Sequence, residues 1–229
     1  MTKIHKFGPK DKMSLLIEEE YTLLSVLSRF GISLGFGDKS VAEVCELHKV
    51  DTATFLAVVN FLSEDDFVPE NSFGKISLHS LISYLQNAHQ YFLEFKLPSI
   101  RKKLIEATNY SEQDVSFLIM RFFDEYANEV HKHMEYENKT VFKYVETLLA
   151  GEKMPNYNIA VFSKRHSPIG LKLAELKNII IKYYPAKESC NLLNEVLFDI
   201  FSCEKDLESH CKVEDYLFVP IITELEKEK

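Results

Sequence analysis

Apolar residues recur at steps of three and four along most of this chain, a spacing that predicts amphipathic α-helices. The longest regular stripe consists of Leu193, Val196, Ile200, Cys203, Leu207, His210, Glu214, Leu217 and Ile221. An equally regular stripe earlier in the chain consists of Ile119, Phe123, Tyr126, Val130, His133, Glu137, Val141 and Tyr144. The 7 Gly and 7 Pro cluster at a few places and leave long stretches uninterrupted. We therefore expect an all-α protein built from long helices.

Four long helices are expected in the larger, C-terminal part of the chain. Their approximate ranges are 77–107, 111–149, 160–184 and 187–226. Pro98 is expected to kink or break the first of these helices, and Pro185 should end the third. Because the connections are short, we expect neighbouring helices to run antiparallel, as in an up-down four-helix bundle.

A small helical domain is expected to precede the bundle. Residues 14–30 have the pattern of one helix, and Ser40 with Glu43 has the capping-box spacing that marks another helix start. A further apolar helix begins near Asp51, and the polar stretch 63–75 has the composition of a linker. The predicted domains are 1–76, the small helical domain with its linker, and 77–229, the four-helix bundle.

Six polar residues with metal-ligating side chains occupy the apolar stripes. They form two triplets with gaps of 44 and 4 residues, and the second triplet is shifted by 77 positions from the first. The set is His89, His133, Glu137, His166, His210 and Glu214. Each half contributes a single His and a His-x-x-x-Glu pair, and the i,i+4 spacing of that pair places both side chains on one helical face.

Burial of two glutamates among four histidines is strongly unfavourable unless the carboxylates are paired or bind a metal. No Lys or Arg lies on these stripes, so metal ions are expected to supply the positive charge. Six side chains overfill one tetrahedral site but suit two metals that share them. Imidazole and carboxylate ligands suit iron, and also zinc, nickel or copper. The set fits a redox-active di-iron site with an oxo or hydroxo bridge and one position open to a small molecule.

The other candidate side chains lack this matched arrangement. His131 lies two positions from His133 and should point away from the site, and the remaining histidines have no matched partners. Tyr126 and Cys203 occupy equivalent positions, each seven before a predicted ligand His, and we expect them to pack in the core. The four cysteines form no CxxC pair and no zinc-finger spacing, so we expect each to be a small buried hydrophobe.

Composition limits the partners and the location. The formal net charge of −8 disfavours nucleic acid or an anionic membrane as a main partner, since both need clustered Lys and Arg. No apolar stretch approaches the roughly 20 residues that span a bilayer. The polar N-terminus shows no signal peptide, so a cytoplasmic protein is expected.

Several segments resemble a known family. NAHQYFLEFKLPSIRKKL, VHKHMEYENKTVF, RHSPIG and DLESHCKVEDYLFVP resemble the hemerythrin-like (HHE cation-binding) domain, and GISLGFGDKSVAEVCELHKVD resembles the N-terminal domain of the repair of iron centres (RIC) proteins. The resemblance implies a non-haem di-iron protein of the bacterial cytoplasm that helps to restore iron–sulfur clusters damaged by nitric oxide or oxidants. It implies the same six metal ligands, with oxygen, nitric oxide and iron–sulfur proteins as possible partners.

The chain departs from the RIC pattern at several positions. The family's N-terminal domain typically has adjacent cysteines in the turn, where this chain has Gly35 and Phe36. Ser167 stands where the family often has Asp after the third His. Lys143 replaces the family's Pro after the first His-x-x-x-Glu block, whereas Pro220 is kept after the second. None of these changes touches the six predicted ligands, so the chain is expected to be a metal-binding variant without the cysteine pair.

Three functions remain open on these grounds. The first is assistance in iron–sulfur cluster repair under nitrosative or oxidative stress. The second is sensing or carriage of oxygen or nitric oxide, and the third is enzymatic reduction of nitric oxide or peroxide at the two irons. DNA reading is a weaker hypothesis, because the candidate recognition helix DTATFLAVVNFL contains no Lys or Arg.

Overall fold

The computed structural model describes residues 7–63, 75–108, 113–152, 157–165, 171–185 and 191–228. Within these ranges the regular structure is helical, and the only strand-like pairing is an isolated antiparallel bridge between Lys12 and Ser40. The prediction of an all-α protein is confirmed. None of the helices in the described ranges is long and apolar enough to cross a bilayer.

Four short helices form the N-terminal region. They are α1 (Met13–Glu19), α2 (Leu23–Arg29), α3 (Val41–His48) and α4 (Thr52–Ser63). The prediction of one helix over 14–30 was wrong, because the backbone leaves the helical conformation at Glu20, with φ −142° and ψ 86°. Three consecutive glutamates at the end of α1 explain the break, since negative charge is unfavourable at a helix C-terminus.

Side-chain caps define the starts of α3 and α4. The Ser40 hydroxyl accepts a hydrogen bond from the Glu43 backbone N–H, and the Glu43 carboxylate accepts one from the Ser40 N–H, so the predicted capping box is confirmed. Asp51 Oδ1 accepts a hydrogen bond of 2.8 Å from the backbone N–H of Thr54 at the start of α4. Apart from these caps, α4 is a core helix whose Phe55 and Val58 are fully buried.

Three of the four predicted long helices contain a π-helical segment. The first consists of α5 (Leu78–Gln90), π1 (Tyr91–Lys96) and α6 (Leu97–Thr108). The helix continues through Pro98, so the predicted break does not occur, and a kink at this proline stays a prediction. The wider π turn just before Pro98 gives the physical reason, because it changes the i→i−4 hydrogen-bond pattern that the proline ring would otherwise disrupt.

The second and fourth predicted helices have π segments in register with the sequence repeat. The second consists of α7 (Gln113–Tyr136), π2 (Glu137–Val141) and α8 (Phe142–Leu149). The fourth consists of α11 (Asn191–Val213), π3 (Glu214–Phe218) and α12 (Val219–Lys227). Both segments begin at the Glu of a His-x-x-x-Glu pair, so the 77-residue shift relates backbone geometry as well as side chains. Since α8 begins without the family's proline at Lys143, this π segment does not require a following proline.

The third predicted helix is described in two parts, α9 (Ile159–Arg165) and α10 (Leu171–Tyr183). Residues 166–170, between these parts, lie outside the described ranges. The antiparallel up-down order of the bundle therefore stays a prediction.

Contacts divide the chain into two compact units. One unit comprises Met1–Ala88 together with His210–Lys229, and the other comprises His89–Ser209. Both boundaries fall inside a helix, α5 and α11 respectively. Within the first unit, the N-terminal helices pack on α5, as the rings of Phe30 and Tyr84 show with a centroid separation of 4.8 Å. The proposed domain boundary at residue 76 follows the segment 64–74, which is not described, and it stays a prediction.

Candidate metal site

The Glu137 carboxylate lies between two histidines within the second unit. Its Oε2 is 3.3 Å from Nε2 of His89, and its Oε1 is 2.9 Å from Nε2 of His133. The Glu137 side chain is 0% exposed, the His89 side chain 1% and the His133 side chain 16%. Each oxygen of one carboxylate therefore faces a different imidazole.

The His210–Glu214 pair repeats this arrangement within the first unit. Nε2 of His210 is 3.2 Å from Oε1 of Glu214, and both side chains are completely buried. As in the first half, the His lies in the last turn of the α-helix and the Glu begins the π segment, here α11 and π3. The local chain therefore presents the two His-x-x-x-Glu pairs in the same way.

Each unit contains a buried pair of predicted ligands. His89 and Glu137 lie in the second unit, and His210 and Glu214 lie in the first. All four residues are buried, and imidazole with carboxylate is a donor set that could hold a metal ion.

The proton position on His89 also favours a cation at this site. Nδ1 of His89 is 3.0 Å from Oδ1 of Asn138. An amide oxygen only accepts hydrogen bonds, so Nδ1 is the donor in this contact, and a ring in its neutral form then carries its lone pair on Nε2. That lone pair is directed at the buried Glu137 carboxylate. Two electron-rich groups in this arrangement require a cation between them, either a proton or a metal ion, and imidazole with carboxylate is a suitable donor set for a metal.

The remaining site predictions have different outcomes. His133 contacts Glu137, as the His-x-x-x-Glu spacing predicts, and His166 lies outside the described residues. His131 is exposed, as predicted from its offset. Tyr126 and Cys203 are both buried in the core, also as predicted.

The cysteines follow the prediction only in part. Cys45 and Cys203 are buried, Cys211 is half-buried, and Cys190 lies outside the described residues. Burial raises the pKa of the Cys45 thiol to about 11, so this thiol is largely uncharged near neutral pH. The prediction of a small buried hydrophobe therefore holds for Cys45 and Cys203.

Sequence reasoning missed two neighbours of His89. Asn138 binds its Nδ1, and the ring of Phe142 stacks on it with a centroid separation of 5.5 Å and an interplanar angle of 18°. The available signal was the position of Asn138 directly after Glu137, matched in the second half by Asp215 after Glu214. A polar residue repeated beside each predicted glutamate ligand could have indicated a supporting role.

The fold and the site define the class of this protein. A chain of long helices whose buried histidines and glutamates form a potential cation site is typical of helical metal-binding proteins. The family model for the hemerythrin HHE cation binding domain matches residues 80–222, and the chain belongs to this family. All six predicted ligands lie in the matched region, and the buried His–Glu group fits a metal site.

A curated relative resembles the chain over most of its length. The iron-sulfur cluster repair protein ScdA of Staphylococcus haemolyticus (strain JCSC1435) is 21% identical to it over 202 residues. The aligned region covers 84% of this chain and 88% of that protein. The similarity therefore extends beyond the family domain into the N-terminal region.

Proposed function

We propose that the protein is a non-haem di-iron protein that assists the repair of damaged iron–sulfur clusters during nitrosative or oxidative stress in the bacterial cytoplasm. The observation that carries this proposal is the pair of buried His–Glu contacts, His89 with Glu137 and His210 with Glu214, inside a hemerythrin-family domain. The printed name of the ScdA relative and its coverage of both chains support the repair role.

The proposed ligands of the two iron ions are His89, His133, Glu137, His166, His210 and Glu214. Iron bound at this site would supply redox and Lewis-acid chemistry. The protein would contribute the orientation of the donors and the exclusion of water. Glu137 supports this assignment because its two oxygens face different imidazoles, and burial of both glutamates keeps bulk water from competing for the ligand positions.

Access to the site is proposed to occur beside His133. Its side chain is 16% exposed, whereas the side chains of His89, Glu137, His210 and Glu214 are at most 1% exposed. A diatomic molecule such as oxygen or nitric oxide would reach the irons from this edge. A bulky substrate would not, so repair would require iron or electrons to pass between the protein and a damaged cluster protein.

Repair by this chain would not use thiols in the N-terminal turn. Gly35 occupies the position of one cysteine of the RIC pair, and its φ of +94° is rarely adopted by residues with a side chain. A cysteine at this position would be strained in the observed turn. We therefore propose that the di-iron site itself, rather than a thiol relay, carries the activity.

The test has two stages. Iron per chain and the optical spectrum are measured for the wild type, for a His133→Ala, His210→Ala double variant, and for His131→Ala as the matched exposed control. We expect about two irons per chain in the wild type and the control, and a large loss in the double variant. The wild type and the double variant are then added to an iron–sulfur enzyme damaged by nitric oxide. Restored activity only with the wild type would support repair, and iron loading without restoration would refute it.

Reversible binding of oxygen or nitric oxide is the second candidate function. The loss of the cysteine pair at Gly35 and Phe36 and the partial exposure of His133 favour it over repair. A spectral change that reverses when the gas is removed, without net consumption, would support a sensor or carrier. Steady-state consumption of nitric oxide or peroxide with an electron donor would instead support a reductase.

A further inference from the structure

The ring of His89 is contacted at both nitrogens and on one face by a single helical stretch. Nδ1 lies 3.0 Å from Asn138 Oδ1, Nε2 lies 3.3 Å from Glu137 Oε2, and the ring stacks on Phe142. All three partners lie within residues 137–142. His89 is 1% exposed and Glu137 is completely buried, whereas Asn138 is exposed, so its amide contacts the buried ring from the solvent side.

The backbone of π2 accounts for two successive residues reaching one ring. In an α-helix, with about 3.6 residues per turn, consecutive side chains diverge by about 100°. A π turn holds more residues, so consecutive side chains diverge less. Glu137 is the first residue of π2 and Asn138 the second, and their side chains face opposite nitrogens of the same imidazole.

Asn138 competes with Glu137 for the single proton of the neutral ring. If the proton is on Nδ1, it is donated to Asn138, and Nε2 keeps the lone pair that a metal needs. If it is on Nε2, it is donated to the Glu137 carboxylate, and the ring cannot bind a metal through that atom. A carboxylate is a stronger acceptor than an amide, but the geometry at His89 favours the amide. Asn138 Oδ1 lies 3.0 Å from Nδ1, whereas Glu137 Oε2 lies 3.3 Å from Nε2 and makes no hydrogen bond among the described residues. Without Asn138, the proton would favour Nε2.

We propose that Asn138 is a positioning residue that holds His89 in the tautomer with its proton on Nδ1, so that Nε2 serves as the metal ligand. This inference rests on the metal site of the proposed function, although not on the repair role. Because the acceptor is a neutral amide, His89 acts as a neutral ligand. A carboxylate in the same place would make the imidazole more basic. The second half of the repeat carries Asp215 at the equivalent position. The chain therefore has an amide after one predicted glutamate ligand and a carboxylate after the other.

Three variants separate positioning from packing. Asn138→Leu keeps a similar size and removes the acceptor, whereas Asn138→Asp keeps the acceptor and adds charge. Asn128→Leu, at an exposed position of the same long helix, is the matched control. Iron affinity is measured by chelator competition, and the reduction potential is measured by titration. We expect Asn138→Leu to lose roughly 10–100-fold in affinity. Asn138→Asp should retain affinity with a more negative potential, and the control should behave as the wild type.

The tautomer is read directly in the metal-free protein. Nitrogen-15 NMR of labelled histidines should show the His89 proton on Nδ1 in the wild type and in Asn138→Asp, and on Nε2 in Asn138→Leu. A proton on Nε2 in the wild type would overturn the inference even if the protein holds its iron. Equal loss of affinity in Asn138→Leu and Asn138→Asp would reduce Asn138 to a packing role. A wild type that binds no iron would instead refute the proposed function, and the NMR result would still decide the ring orientation.

Discussion

The charge of Glu214 should have opposite effects on stability with and without metal. The side chain is completely buried, and its described ionic partner is His210 at 3.2 Å. Glu214→Gln preserves the shape of the side chain and removes its negative charge. In the metal-free protein the substitution removes a buried carboxylate, whereas in the metal-loaded protein it removes a proposed ligand. The substitution is therefore expected to raise the free energy of unfolding of the metal-free protein and to lower that of the metal-loaded protein.

The magnitudes follow from burial and from binding linkage. A buried ion in a protein costs several kcal/mol of solvation, which its ionic partner offsets only in part. An imidazole, unlike a Lys or Arg side chain, can readily become neutral, so removal of the carboxylate leaves no unpaired buried charge. We therefore expect Glu214→Gln to raise the free energy of unfolding of the metal-free protein by about 2 kcal/mol. For a chain of this size, that change raises Tm by about 4–8 °C. In the loaded protein, a roughly 100-fold weaker metal affinity would remove about 2.7 kcal/mol of stabilisation.

The free energy of unfolding is measured by thermal and urea unfolding of the metal-free and the metal-loaded protein. One series contains a chelator, and the other contains saturating iron(II) under anaerobic conditions. Glu208→Gln is the matched control, because Glu208 is exposed on the same helix, and it should leave both series unchanged. Equal destabilisation of Glu214→Gln with and without iron would refute the reasoning. Glu214 would then stabilise the fold through its contact with His210 and not through a metal.

Two further predictions concern the rest of the molecule. Burial raises the pKa of Asp199, but hydrogen bonds from Lys103 and Lys96 outweigh it, so its pKa lies below the ordinary value of 3.8. Asp199→Asn should lower the free energy of unfolding by about 1 kcal/mol at neutral pH. The difference in free energy of unfolding between the wild type and the variant should shrink as pH falls below 3.8 and through the lowered pKa, because the wild-type carboxylate then also becomes neutral. A difference in urea unfolding that does not depend on pH would contradict this. Iodoacetamide at pH 8 should label Cys211, which is half-buried, well before Cys45, which is buried and has a pKa of about 11. Equal labelling rates by mass spectrometry would contradict this and would show that local unfolding exposes Cys45.

The sequence alone determined the helical class and the polar residues of the site. Its apolar stripes predicted long helices, and α5, α7 and α11 follow them closely. The same periodicity placed His210 and Glu214 on a buried face, because helical geometry ties residue spacing to direction. The capping box at Ser40 was equally predictable, since it depends only on residues three apart.

Only the tertiary structure decided how the site residues are held. The apolar periodicity does not distinguish an α turn from a π turn, because the two differ by a single residue of hydrogen-bond spacing. The contacts of His89 with Asn138 and Phe142 join positions far apart in the chain, and no local pattern specifies which side chains meet across helices. The sequence thus identified the potential ligands. The contacts of the His89 ring with residues of π2 and α8 determine which of its two nitrogens is available for a metal.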